Sequence, residues 1–210
     1  MFPKLTPVVR ALLFTNLIVY GLQRFTAYGP LFLYEFALWP IGPSHRAESA
    51  PFEPWQIVTY AFLHDPQTWA HIFGNMLALY MFGPDSEKLL GSRRFAFYYF
   101  ACVIGAALTQ VFVMHALYPS PYPTLGASGG IFGILLLFGM AYPYRKIIFI
   151  FFPVPISAWI FVTLYGLAEL WQGVFGSSEG IAHFAHLGGM ATGFALITYW
   201  RIRSQRAGHA

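Results

Sequence analysis

Charge is what this sequence has least of. Only 10% of its 210 residues are Asp, Glu, Lys or Arg, where a soluble domain carries about a quarter. That shortage excludes a water-facing surface over most of the chain. Cysteine is nearly missing as well: Cys102 stands alone, so no intramolecular disulfide can form and no cysteine metal site exists. There is no low-complexity tract, no internal repeat and no period-2 alternation of the kind a membrane barrel needs. The net charge of +4 does not argue for nucleic acid, because no basic stripe with interleaved aromatics occurs in a soluble segment.

What the chain has is apolar sequence, 57% of all residues, with a mean hydropathy of +0.56. Six blocks approach or exceed the roughly 20 residues that carry a helix across the hydrocarbon core. They lie at about 8–25, 69–86, 94–117, 127–142, 147–171 and 184–202. The predicted fold is an all-α polytopic membrane protein, six transmembrane helices in a single integral membrane domain over residues 1–210. The first block could be misread as a signal peptide, with Lys4 and Arg10 ahead of its apolar run. Removing it would leave five spans and break the charge pattern, so it is read as a retained span. The connection that follows, about 45 residues rich in Pro, Trp, Tyr and Phe, suits a folded element in the membrane interface.

The few charges give the orientation. With six alternating spans, one side holds both termini and Lys4, Arg10, Lys88, Arg93, Arg94, Arg145, Lys146, Arg201, Arg203 and Arg206, ten of the twelve basic residues. The other side holds only Arg24 and Arg46, near Glu35, Glu48, Glu53, Asp65, Glu169 and Glu179. The positive-inside rule puts both termini in the cytoplasm. A bacterial inner membrane is the expected location.

Spans 2, 4 and 6 run from outside to inside, and each carries its polar residues at its outer end. Span 2 has His71 and Asn75, span 4 opens GASGG around Ser128, and span 6 has His183 and His186. Intramembrane polar groups are functional candidates because burying them in lipid is costly. On span 4, Gly126, Gly130 and Gly133 fall on neighbouring turns of one face. On span 6, Gly189 and Gly193 form a small-xxx-small pair that admits a close neighbour. If the two glycine faces meet, Ser128 and His186 come together; His183, one turn earlier, lies farther from the glycines. Span 4 has only 15 residues from Ser128 to Tyr142, about 22 Å. It therefore starts below the membrane surface, with LYPSPYPTLGA dipping inward to meet it and Ser128 at the floor of a wet cavity open to the outer side.

A serine hydroxyl becomes a nucleophile when a neutral imidazole takes its proton. The start of span 4 offers free backbone N–H groups to an anion. His71 and Asn75, four residues apart on one helical face, could add side-chain donors to an oxyanion hole. Neither Glu169 nor Glu179 has a register that would orient His186, and Glu169 reads as interface-facing, so the expected unit is a Ser–His dyad. Each signal has a bland reading: a helix cap for Ser128, interhelical polar clamping for His71 and Asn75, and interfacial hydrogen bonding for His64 and His115. Their agreement in depth and side favours chemistry. GASGG also fits the G-x-S-x-G elbow of α/β-hydrolases, but that elbow needs a preceding strand, and here a Pro-rich loop precedes a membrane helix.

Taken together, these residues resemble the rhomboid family of intramembrane serine proteases over roughly residues 5–202. The family's G-x-S-G reads Gly126-Ala127-Ser128-Gly129. Its sixth-span Ala-His with glycines reads Ala185-His186, Gly189 and Gly193, and its second-span H-x-x-x-N reads His71 to Asn75. The resemblance implies Ser128 as nucleophile, His186 as base, and an oxyanion hole of His71, Asn75 and the Ser128 N–H. It also implies Glu87, in GPDSEKLLGSRRF, as a structural glutamate. The family's first-loop Trp-Arg pair reads Trp55-Gln56 here, which puts the polar contacts of that loop in question. The implied activity is cleavage of transmembrane segments of membrane-protein substrates, without metal or cofactor. A non-catalytic protein that binds or escorts such segments is the alternative. A transporter would need midplane carboxylates and repeat symmetry, and neither is evident.

Overall fold

A computed structural model describes residues 4–41, 50–117, 122–149, 152–176 and 181–207. Arg46, Glu48 and Glu179 lie outside them. Eight α-helices occur among the described residues: α1 (Pro7–Phe25), α2 (Gly29–Phe36), α3 (Gln56–Thr59), α4 (Trp69–Leu90), α5 (Ser92–Ala116), α6 (Ser128–Ala141), α7 (Ala158–Phe175) and α8 (Ile181–Ala207). By length and composition α5 and α7 could each cross a membrane, and α6 is a shorter apolar helix.

One predicted boundary is wrong. Residues 147–149 and 152–157 do not belong to a helix; they lie in two antiparallel strands, β1 (Lys146–Phe149) and β2 (Phe152–Ser157), with Lys146 opposite Ser157 and Ile147 opposite Ile156. Pro153 and Pro155 explain this, because two prolines remove donors and clash inside a helix, while the flanking Ile and Phe residues favour strands. Helix α7 starts only at Ala158, whose N–H donates to the Arg145 carbonyl at 2.9 Å. The other ends move by a few residues, most at α8, which runs to Ala207, and at α4, which continues to Leu90.

The long first connection is folded around α2, α3 and a 3-10 turn at Tyr60–Phe62. Gln56, where the resemblance leads one to expect arginine, is buried and carries polar contacts of its own. Its Oε1 accepts from the Trp39 N–H at 3.2 Å, and its Nε2 donates to the carbonyls of Pro51 at 3.2 Å and Glu35 at 3.4 Å. Trp55 adds a bond from Nε1 to the Glu35 carbonyl at 3.0 Å. A neutral amide thus ties this loop together.

Glu87, at the far end of α4, caps a different helix. Its carboxylate accepts from the Val8 N–H at 3.1 Å, the Val9 N–H at 2.9 Å, and the hydroxyls of Thr6 and Ser92 at 2.5 Å each. Thr6 provides no side-chain cap of its own to α1. A buried anion on the free N–H groups of a helix start satisfies both partners.

Helix α6 sits at the centre, packed by α4, α5, α7 and α8, with an almost unbroken buried run from Gly129 to Leu135. Glycines set these distances, but not as the sequence reading paired them. A Cβ on Gly189 would lie 2.0 Å from the Gly129 carbonyl oxygen, and one on Gly133 would lie 3.5 Å from that of Gly189. A Cβ on Gly129 or on Gly133 would first meet α5, at 2.4 Å from Ala106 Cβ and from Cys102 Sγ respectively, so Gly189 is the glycine that brings α8 onto the α6 backbone. Gly130 and Gly193 also face α5, the former against the Tyr99 ring and the latter against Tyr98 and Cys102. Gly126 precedes the helix. Helices α5 and α8 also meet through Gly105 against Thr192 and Gly188 against Thr109, a second small-residue seam.

Candidate active site

Ser128 is the first residue of α6, and the backbone before it is held from two sides. Thr124 pairs with Leu38 through two 2.9 Å backbone bonds, and the Gly126 N–H donates to the Tyr60 carbonyl at 3.0 Å. The Tyr60 hydroxyl in turn donates to the Val103 carbonyl of α5 at 2.8 Å. Gly126 has φ +125°, and a Cβ there would lie 2.8 Å from His71 Nε2. Conformation and space both require glycine.

From this start the Ser128 hydroxyl lies 2.8 Å from His186 Nε2. The imidazole stacks on Phe132, one turn along α6, with centroids 4.2 Å apart and planes 7° from parallel. Phe132 escaped the sequence reading; its signal is the spacing of four residues from Ser128. Ser128 and His186 open onto a cavity of about 280 Å³ that His71, Asn75, Phe132 and Tyr165 also line. This volume admits several waters at about 30 Å³ each.

The predicted donors share the cavity. His71 Nδ1 accepts from the Asp65 N–H at 3.3 Å, which places the ring proton on Nε2, beside the loop at Gly126. Asn75 Nδ2 donates to the His71 carbonyl at 2.8 Å. One hydrogen of its NH₂ group is thereby spent within α4, and the second remains for another acceptor.

One histidine reading needs correction. His64 is not interfacial: it is fully buried, edge-on to His71 with centroids 5.0 Å apart. Burial first, then the neighbouring His71, lowers its pKa to about 3. His183 does not approach Ser128; its Nδ1 lies 2.5 Å from Glu169 Oε2. Glu169 itself is not interface-facing but 5% exposed, and the same oxygen lies 2.8 Å from His186 Nδ1. The observed helix ends explain this contact: Glu169 is six residues before Phe175, the end of α7, and His186 five after Ile181, the start of α8. In two successive antiparallel helices such positions come level. The ligand atoms of Glu169, His183 and His186 lie within 4.8 Å of one another, close enough to share an ion, and the two imidazole–carboxylate contacts already account for the cluster.

Known proteins resemble this sequence. The chain is 35% identical over 138 residues to Rhomboid protein 1, mitochondrial, of Saccharomyces cerevisiae, covering 65% of this chain and 39% of that one. It is 33% identical over 156 residues to the rhomboid protease GluP of Bacillus subtilis, covering 73% and 27%. It is also 29% identical over 194 residues to the rhomboid protease GlpG of Klebsiella pneumoniae, covering 90% and 62%. The match thus spans less than half the length of the first two proteins. The Rhomboid domain matches residues 51–203, a segment that holds Ser128, His186, His71 and Asn75, and the chain belongs to the rhomboid family.

Proposed function

We propose that this protein is an intramembrane serine endopeptidase that cleaves transmembrane segments of membrane-protein substrates, with Ser128 as nucleophile and His186 as base. The observation that carries the reading is the 2.8 Å contact between Ser128 Oγ and His186 Nε2 on a cavity shared with His71 and Asn75. Helices α1 and α4 to α8 are the six spans, the termini are cytoplasmic, and the cavity opens to the opposite side. Relatives carry mitochondrial, chloroplastic and bacterial names, so family membership points to an integral membrane protein and not to one membrane.

The chemistry follows from the donors present. His186 Nε2 takes the Ser128 proton as Oγ bonds to the scissile carbonyl carbon, and the carbonyl π pair moves to oxygen. That oxyanion is met by the Ser128 N–H at the start of α6, by His71 Nε2–H and by the Asn75 amide, donors each worth ~10²–10³ in rate when aimed correctly. The imidazolium then protonates the leaving nitrogen as the C–N bond breaks, and water repeats the sequence on the acyl-enzyme. A peptide bond in an intact helix has its carbonyl engaged, so a substrate must unwind locally before it fits, and segments rich in helix-weakening residues are the expected substrates.

Labelling with a fluorophosphonate in detergent tests the reading. Wild type should react, while Ser128→Ala and His186→Ala should not. Cleavage of a model transmembrane substrate by Ser128→Ala would overturn the assignment. Folded wild type that ignores the probe would favour a non-catalytic protein that binds transmembrane segments.

A further inference from the structure

Glu169 offers a carboxylate to the far side of the His186 ring. Its side chain is buried on α7, with Oε2 at 2.8 Å from His186 Nδ1 while His186 Nε2 is at 2.8 Å from Ser128 Oγ. Serine, imidazole and carboxylate thus form one continuous hydrogen-bonded line across three helices, α6, α8 and α7.

We propose, building on the protease reading above, that Glu169 is a positioning residue and that the working unit is a Ser128–His186–Glu169 relay in place of a dyad. A neutral imidazole has two tautomers, and only the one protonated on Nδ1 leaves a lone pair on Nε2 for the serine proton. Stacking on Phe132 fixes the plane of the ring but is indifferent to which nitrogen carries hydrogen. A carboxylate oxygen at Nδ1 is not indifferent: it accepts from Nδ1–H and repels a lone pair there. It also balances the imidazolium that forms when Ser128 gives up its proton, in a site where a lone cation would be costly. Glu169 takes no proton in this scheme; it acts through His186.

His183 completes the arrangement. Its Nδ1 lies 2.5 Å from the same oxygen, so each lone pair of Oε2 has a donor and the carboxylate is held toward His186. The other titratable groups around the ring are Tyr165, on α7 one turn before Glu169, and His71 from α4. Neither can act as a fixed anion. The carboxylate contact on His186 therefore rests on Glu169.

The experiment compares wild type, Ser128→Ala, Glu169→Gln, Glu169→Asp and His183→Asn for probe labelling and for kcat and KM on a model substrate. Thermal unfolding in the same detergent checks the fold of each. Glu169→Gln should lower kcat by ~10²–10⁴-fold with KM nearly unchanged, because an amide can present N–H to Nδ1 and select the wrong tautomer. Glu169→Asp should recover part of the loss, and His183→Asn should lose less than Glu169→Gln. Ring-¹⁵N histidine spectra of the wild type should show His186, assigned against His186→Ala, protonated on Nδ1; this arm stands even where a variant fails to fold. Labelled wild type, silent Ser128→Ala and a folded Glu169→Gln within ~3-fold of wild type would overturn the relay and leave the protease reading intact. A wild-type His186 protonated on Nε2 would do the same. Wild type that does not label would instead remove the protease reading on which the relay rests.

Discussion

Gly189→Ala adds one methyl group where two backbones already touch. Its Cβ would lie 2.0 Å from the Gly129 carbonyl oxygen and 2.9 Å from the carbonyl carbon, and neither atom belongs to a side chain that can swing away. An ordinary C···O contact is about 3.3 Å, so α6 and α8 must part by about 1.3 Å at this level. Gly129 adjoins Ser128, and Gly189 is three residues from His186. If half the displacement reaches the site, the 2.8 Å Ser128–His186 contact stretches to about 3.4 Å, the edge of hydrogen bonding; if all of it does, to about 4.1 Å. A misplacement of about 1 Å is worth ~10²-fold in rate, and overpacking of this kind costs about 1–3 kcal/mol of stability. The assay is the rate of fluorophosphonate labelling, read beside thermal unfolding in the same detergent. Gly189→Ala should label ~10²-fold more slowly while still folded. Gly21→Ala, where a Cβ meets nothing within 4 Å on α1, is the control and should label as wild type. A folded Gly189→Ala that labels at the wild-type rate would refute the claim that this glycine contact sets the site's geometry.

Two predictions concern stability away from the reacting atoms. Glu87→Ala strips α1 of the carboxylate that accepts from Val8 and Val9 and should cost about 2–3 kcal/mol, seen as a fall of roughly 4–12 °C in the unfolding midpoint; an unchanged midpoint would show that water replaces the cap. His64 predicts a pH dependence. The folded protein keeps its ring neutral down to about 3, while the unfolded chain protonates near the ordinary 6.5. The unfolded state therefore binds the extra proton between those values. This contribution to stability is full above pH 6.5 and falls with pH, by about 2 kcal/mol at pH 5. His64→Leu should flatten that part of the curve in denaturation measured from pH 7 to 5, and an equally steep curve would place the dependence elsewhere.

The errors of the sequence reading share a cause. Ile147 to Ser157 scored as apolar and so joined a helix block, although Pro153 and Pro155 stood inside it; hydropathy counts greasiness and ignores the missing N–H groups. Gly130 was paired with α8 from its spacing to Gly133, yet both Gly130 and Gly193 face α5. Periodicity finds a small-residue face without saying which neighbour will occupy it. Glu169 was set aside because an acid near a span's outer end normally turns to the interface. Only the packing of α7 on α8 brings it level with two histidines.

By itself the sequence determined those features that depend on local composition and spacing. The scarcity of charge marked the chain as a membrane protein, the basic residues gave an expected orientation, and polar groups near the starts of three apolar blocks made Ser128, His186, His71 and Asn75 the candidates. These follow from one-dimensional patterns because burial in lipid and helical periodicity act on each segment separately. The tertiary structure decided what depends on distance between segments: Gly129 as the contact for Gly189, Phe132 as the stacking surface, the Asp65 N–H that sets the His71 tautomer, and Glu169 behind His186. A hydrogen bond distinguishes 2.8 Å from 4 Å, and that difference is set by how closely helices pack.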